Sequence, residues 1–296
     1  MKFFLYTTIY FLLLYYSSLA MCSILAGKAI YLDLHASVFE NKASSDVIKI
    51  CKGEGISCVH LVVHSSGSVE VERYKELAEF CKEEEIEVIL TFSDDFFELF
   101  SGGSDILCLS NKEIISDIRN AVEEIISSID VRGVEVEVRV VPGEDIYKHF
   151  VKCGYCREKI SSKYRCSTEQ FCHSRDKKKV YKLAREIRYD DVATFINDLF
   201  YVIGKEKMNI VKFITFDYYG DREIVKFVTD RVKPNAVVLK ISNNGDIDVY
   251  EMKKIESVIS DIHWRKAAAV IACPRWEALV NKLNTMKVLV EQYIFY

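Results

Sequence analysis

Strand-length apolar segments alternate with helix-length amphipathic segments along most of the chain, and this alternation constrains the fold more than any other feature. The short segments are rich in β-branched residues, whereas the longer ones repeat apolar residues at helical spacing. Strands are predicted at 29–35, 58–64, 87–92, 133–143, 210–217, 236–241, 267–272 and 288–291, and helices at 44–52, 71–84, 111–129, 191–204, 223–232, 250–262 and 276–284. Eight such units predict an α/β protein, a closed (β/α)8 TIM barrel, with a doubly wound open sheet as the alternative.

Charge and composition exclude several classes of protein. The chain has 296 residues, a net charge of −4 and 50% hydrophobic residues, and no basic stripe runs through it. Nucleic acid is therefore not an expected partner. No glycine-rich phosphate loop follows the first predicted strand, which argues against a dinucleotide cofactor. We predict no cofactor.

The fourth predicted strand carries ionisable side chains on a single face. In the segment 133–143, alternate valines are separated by Glu135, Glu137 and Arg139. The period of two puts these three charged side chains together, opposite the valines. If they point into the interior of a sheet, they must be paired or functional. A self-neutralising buried network and a ligand-binding role are both open on this pattern.

This stretch resembles the fourth strand of family 18 glycoside hydrolases, the chitinase-like barrels. Their motif is Asp-Gly-hydrophobic-Asp-hydrophobic-Asp-Trp-Glu-Tyr-Pro, and Gly133 matches its glycine. Glu135 and Glu137 replace the two inner aspartates, and Arg139 stands where the catalytic Glu is expected. The resemblance implies a degenerate chitinase-like TIM barrel in which Glu137 can still touch an N-acetyl group but the proton donor is missing.

Other family motifs are also altered. The third predicted strand ends in 91–94, Thr-Phe-Ser-Asp, where the family has Ser-x-Gly-Gly, and 288–291 lacks the tryptophan that floors the sugar site. Asp217, Tyr218 and Tyr219 end the fifth predicted strand, where such barrels place their sites, and are further candidates for lining a ligand.

The N-terminal segment predicts export. In residues 1–26 a single Lys2 precedes an uncharged apolar run with small residues at two potential cleavage sites. This pattern is typical of a secretory signal peptide, so we predict a secreted or cell-surface protein without membrane contact after cleavage. An uncleaved anchor is the alternative, because ~20 apolar residues can span a bilayer. Residues 27–296 are predicted to form one domain.

A Cys-rich insertion at 143–190 interrupts the barrel pattern. It contains Cys153, Cys156, Cys166 and Cys172 in a polar, basic segment, with His173 adjacent. Cys-x2-Cys spacing is compatible with zinc. In a secreted chain, disulfides among these four cysteines are the favoured interpretation, and no bound metal is predicted.

Three functions are compatible with these observations. The first is a catalytically inactive barrel that binds a chitin-type or other N-acetylated glycan, or a surface protein. The second is an active glycoside hydrolase with displaced catalytic carboxylates, and the third is a structural surface or wall protein that uses the barrel as a scaffold. Glycoside cleavage needs a protonated acid at the leaving oxygen, and Arg139 has no carboxyl proton to give. The first and third functions are therefore favoured.

Overall fold

An eight-stranded sheet forms the framework of the computed structural model, which describes residues 28–34, 43–103, 106–139, 141–164, 167–174, 176–207, 210–217, 222–232, 234, 236–241, 267–272 and 294–295. The strands are β1 Lys28–Asp33, β2 Ile56–Val63, β3 Glu87–Phe92, β4 Gly133–Val138, β5 Val211–Asp217, β6 Ala236–Ile241, β7 Ala267–Ala272 and β8 Ile294–Phe295. They are hydrogen-bonded in sequence order, and each pair from β1 to β7 is parallel. The predicted α/β class with a parallel sheet is confirmed.

The last strand differs from the prediction. The short β8 pairs antiparallel with β7, with Val270 opposite Ile294. Among the described residues, no pairing joins β8 to β1, so the sheet is barrel-like rather than a demonstrated closed (β/α)8 barrel. The predicted strand at 288–291 and the predicted helices at 250–262 and 276–284 lie outside the described residues.

Helices connect the strands from β1 to β6 in the predicted alternation. They are α1 Ser44–Gly53, α2 Ser68–Glu83, α3 Asp94–Glu98, α4 Lys112–Ser128, α5 Gly143–Lys152, α6 Gly154–Tyr164, α7 Thr168–Cys172, α8 Lys177–Glu206 and α9 Arg222–Arg231. The helix α4 shows which sequence features specify a helix here. The Asn111 side chain caps its start by accepting a hydrogen bond from the Glu113 backbone amide at 3.0 Å. Along the helix, Ile118, Val122 and Ile125 bury one face. No described helix is both long and apolar enough to cross a membrane.

The sheet is strongly curved, and a single contact shows it. The Tyr31 hydroxyl on β1 donates to Glu135 Oε1 on β4 at 2.8 Å. In a flat sheet the backbones of β1 and β4 would lie about 14 Å apart, which is too far for these two side chains to meet without curvature. The inner face must therefore be concave, as in a barrel.

The two faces of β4 have different roles. Val134, Val136 and Val138 are buried in the main apolar core with residues of the surrounding helices. On the inner face, a Cβ at Gly133 would lie 3.0 Å from the Phe213 ring and 3.1 Å from Ile89 Cγ1. A side chain at 133 would therefore need its neighbours to move, which is why glycine stands at the start of this strand.

The segment 143–190, for which the sequence analysis predicts a Cys-rich insertion and no helix, is largely helical. Its helices α5, α6, α7 and the first half of α8 share a small apolar core. Members of this core recur at helical spacing, for example Val180, Ala184 and Ile187 on α8. The sequence does contain this pattern, but the many charged residues between its apolar positions hid it.

Candidate functional site at the carboxyl edge of the sheet

One buried carboxylate connects five strands inside the curved sheet. The Glu135 side chain is 0% exposed. An ionised carboxylate only accepts hydrogen bonds, so its four neighbours act as donors. They are Tyr31 Oη (2.8 Å to Oε1), His60 Nδ1 (2.5 Å to Oε2), Thr91 Oγ1 (2.8 Å to Oε2) and Thr215 Oγ1, which donates to Oε1.

These donors determine the charge state of the buried acid. Burial by itself would raise the pKa of Glu135, because removal from water disfavours the charged form. The charge of His60 and the hydrogen bonds from His60, Thr215 and Tyr31 outweigh burial and lower the pKa to about 2. Glu135 is therefore an ionised structural group, closed to solvent and unable to supply a proton near neutral pH.

A second polar group lies at the carboxyl edge, where β1, β2 and β3 end. The His64 Nε2 atom lies 3.0 Å from Asp33 Oδ1, and its Nδ1 atom lies 3.8 Å from Asp95 Oδ2. The hydrogen bond to Asp33 raises the pKa of His64, with smaller contributions from nearby carboxylates. Unlike Glu135, this histidine and both acids are partly exposed to solvent.

Arg139 continues this edge beyond β4. Its Nη1 atom donates to Glu98 Oε1 at 2.6 Å and to Asp94 Oδ2 at 3.3 Å, and both acids belong to α3. Burial raises the pKa of Asp94 to about 6; Arg139 opposes the rise, whereas the charges of Glu137 and Glu98 add to it. Asp94 is thus a carboxyl group that changes charge close to neutral pH.

The predicted acid–Arg–acid group is not one cluster. Glu135 is paired with His60 inside the sheet, whereas Arg139 is paired with Asp94 and Glu98 at the exposed edge. The shared strand face is correct, but successive inner positions on one strand lie at different depths. Glu135 is therefore buried, Glu137 is half-buried and Arg139 is exposed.

The sequence analysis missed the partners of Glu135. His60 and Tyr31 were assigned to strands only, yet the same period-two rule places them on the inner face of β2 and β1. Of the other candidates, Asp217 ends β5 but its side chain is not described, and Tyr218 and Tyr219 lie outside the described residues.

The cavity beside this edge is smaller than a typical ligand pocket. A cavity of about 50 Å³ lies between β4, α3 and α8, next to Asp94, Glu137 and Arg139. Ligand pockets measure roughly 300–1,000 Å³, so this one has room for a few waters only. A groove of about 800 Å³ lies elsewhere, between α4, α6 and α8, and contains no strand residue. Among the described residues, a ligand at the carboxyl edge would therefore lie on the open surface beside this cavity.

The structure places two of the four predicted disulfide cysteines in an unexpected setting. Cys153 and Cys156 are free thiols and lie beside Cys108, which precedes α4. Cys166 lies outside the described residues, and the side chain of Cys172 is not described, so their pairing stays a prediction.

Comparison with known proteins supports the fold and no more. No protein-family model matches the chain, and no curated protein matches it in sequence. The glycoside hydrolase domain of PgaB (BpsB) from Bordetella bronchiseptica matches with a TM-score of 0.53 and 8% identity, over 88% of this chain and 97% of that one. A beta-galactosidase from the haloarchaeon Halorubrum lacusprofundi matches with a TM-score of 0.50 and 11% identity, over 76% of this chain and 42% of that one.

The chain thus spans less than half of the matched beta-galactosidase. At such low identities, shared architecture is the conclusion that follows. The chain has a barrel-like α/β fold on which glycoside hydrolase domains are built, and the matches do not single out family 18.

Proposed function

We propose that this chain is a secreted, catalytically inactive barrel that binds a glycan on the carboxyl edge of its sheet. The observation that carries the proposal is the pairing of Arg139 with Asp94 and Glu98. In the resemblance to chitinase-like barrels, Arg139 stands at the position of the proton donor. An arginine paired with two acids offers no proton to a leaving oxygen.

Glu135 does not replace the missing acid. It is fully buried and has four donors, so it cannot reach a substrate. Its pKa of about 2 also means that it has no proton to transfer near neutral pH. Loss of general acid catalysis alone lowers a rate by roughly 10²–10⁴.

The carboxyl edge nevertheless has groups that suit sugar hydroxyls. Asp33, His64 and Asp95 lie partly exposed on one side, and Glu137 and Arg139 lie on the other. Together they offer donors and acceptors of both charges around the open end of the sheet. The resemblance at β4 favours a chitin-type or other N-acetylated glycan as the ligand.

The test combines binding and turnover on the purified mature chain. We expect retention on insoluble chitin without hydrolysis of a soluble chitooligosaccharide. The variants Glu137→Gln and Arg139→Gln should each weaken retention. The matched control Glu83→Gln, at the opposite edge of the sheet, should retain wild-type binding, because Glu83 is exposed at the end of α2. Equal loss in all three variants, or no retention by the wild type, would contradict the proposal.

Asp94 favours a second candidate, an active glycoside hydrolase with a relocated acid. Its pKa of about 6 allows it to be protonated near neutral pH, and the charge of Glu137 acts on it. Glycoside cleavage generally needs a carboxyl group that stays protonated near the working pH, and the raised pKa of Asp94 fits that role.

This candidate makes a different prediction in the same assay. The wild type would release sugar, with activity falling as the pH rises above about 6, where Asp94 loses its proton. The Asp94→Asn variant would abolish turnover, whereas Glu83→Gln would not. Absence of turnover at every pH tested would contradict the hydrolase candidate and favour the binding function.

A further inference from the structure

Three cysteines and one histidine from distant parts of the chain meet beside the helical segment. The possible ligand atoms of Cys108, His149, Cys153 and Cys156 all lie within 4.8 Å of one another. The Cys108 Sγ atom lies 3.3 Å from Cys153 Sγ and 3.7 Å from Cys156 Sγ. We propose that these four residues form a structural zinc site that cross-links the helices α5 and α6 to the loop before α4.

The distances fit coordination better than disulfide bonding. A disulfide requires sulfur atoms about 2.05 Å apart, whereas two thiolates bound to one tetrahedral zinc, with Zn–S of about 2.3 Å, lie roughly 3.8 Å apart. Both separations from Cys108 are well beyond a disulfide bond length, and the 3.7 Å separation from Cys156 matches the second value. Three thiols also cannot all be paired within one cluster, whereas Cys3His is a common zinc ligand set.

The local sequence explains how the ligands converge. His149 lies in the last turn of α5, Cys153 immediately follows that helix, and Cys156 lies in the first turn of α6. The Cys153 amide donates to the His149 carbonyl at 2.8 Å, which fixes the turn between the helices. Cys153 and Cys156 have the Cys-x2-Cys spacing of zinc sites, and Cys108 completes the set from a loop more than 40 residues earlier.

The histidine has a buried atom that a metal would satisfy. His149 Nε2 is withdrawn from solvent and has no hydrogen-bond partner among the described residues. A ring nitrogen of His149 lies within 4.8 Å of each of the three sulfur atoms. A buried polar atom without a partner is costly, and an imidazole nitrogen is a frequent zinc ligand.

Neighbouring groups support the loop that carries Cys108. Arg188 Nη1 donates to the Leu107 carbonyl at 2.7 Å, and its positive charge lies near Cys108 and Cys156. Ser110 Oγ lies 3.8 Å from Cys156 Sγ and donates to Asp191 Oδ2 at 3.3 Å. Zinc sites are normally oriented by such outer contacts, and a nearby cation offsets the excess negative charge of three thiolates.

The site also has a structural purpose in this fold. Cys108 and Cys156 belong to the small apolar core of the helical segment, with Phe150, Ile160 and Phe171. A core this small gives limited stability on its own, and a structural metal contributes folding free energy directly. The cross-link would replace the disulfides predicted for Cys153 and Cys156.

The experiment measures metal and thiols on the full purified chain. We expect one zinc per chain by elemental mass spectrometry after dialysis and gel filtration. Cobalt substitution should give thiolate-to-cobalt charge-transfer absorption. Alkylation without reduction should find Cys108, Cys153 and Cys156 free of disulfides and protected until zinc is removed. These wild-type measurements decide the matter even if ligand variants do not fold.

Single-ligand variants locate the site. Cys108→Ser, Cys156→Ser and His149→Gln should each weaken zinc affinity by more than the roughly 10–100-fold that loss of an outer contact costs. The matched controls Cys51→Ser and Cys81→Ser remove buried free thiols of the main core and should keep full zinc. A disulfide between any two of the three cluster cysteines, zinc lost on gel filtration, or equal loss in the controls would overturn the proposal.

Discussion

The sheet interior and its carboxyl edge contain carboxyl groups whose pKa values move in opposite directions. Inside, Glu135 is fully buried and has a pKa lowered to about 2. At the edge, the Asp94 side chain is 32% exposed, yet its pKa is raised to about 6. The more deeply buried acid is thus the one that stays ionised.

The difference lies in the partners, because burial raises both pKa values. Glu135 accepts hydrogen bonds from four donors, one of which is His60. Asp94 shares Arg139 with Glu98 and is close to the charge of Glu137. Donors aimed at a buried carboxylate make it structural, whereas competition for one cation leaves a carboxyl that can exchange a proton.

The largest expected effect tests the interior. Glu135→Ala removes the acid from a buried pair and leaves His60 and three hydroxyl donors without their acceptor. We expect a loss of about 3–5 kcal/mol in the free energy of unfolding, measured by chemical denaturation.

Glu137→Ala is the matched control, since it changes the same residue type two positions along the same strand face. Glu137 is half-buried near the edge, so its loss should cost about 1 kcal/mol or less. Similar losses in both variants would mean that the Glu135 network has no special role in stability.

The second prediction concerns acid pH. The pKa of Glu135 falls from an ordinary value of 4.5 to about 2 on folding. The folded state therefore binds this proton less readily, so the stabilisation is complete above pH 4.5 and disappears as the pH falls towards 2. The lowered pKa of Glu135 contributes about 3 kcal/mol to the free energy of unfolding. Chemical denaturation at a series of pH values should show the free energy of unfolding falling between pH 4.5 and 2. This fall should be absent in the variant Glu135→Gln.

The smallest expected effect is an increase in stability, and it tests the carboxyl edge of the sheet. Because the pKa of Asp94 rises from 3.8 to about 6 on folding, its ionisation destabilises the fold; this cost is absent below pH 3.8 and complete above 6. Asp94→Asn should therefore raise stability at pH 7 by on the order of 1 kcal/mol, after allowance for solvent screening.

The pH series checks the Asp94 prediction further. The stabilising effect of Asp94→Asn should vanish near pH 4, where the wild-type carboxyl is also neutral. If Asp94→Asn instead lowered stability at pH 7, the ion pair with Arg139 would outweigh the cost of burial. The proposed difference between the edge and the interior of the sheet would then be wrong.

Short-range patterns predicted much of the fold. The alternation at β4 placed the valines and the charged residues on opposite faces, as the structure has them. The apolar spacing at α4 predicted its buried face. The helices at 143–190 were not predicted, because charged side chains separate the apolar positions there and make the helical spacing hard to recognise.

Local sequence patterns alone predict the strands β1 to β7 and the face on which each β4 side chain lies. Both follow from periods of two and 3.6 residues, which depend on backbone geometry alone. The tertiary structure decided which charges are partners, because curvature brings Tyr31 of β1 to Glu135 of β4 and because depth separates Glu135 from Arg139. It also brought Cys108 to Cys153 and Cys156. Contacts between distant segments depend on how elements pack, and no local period encodes that.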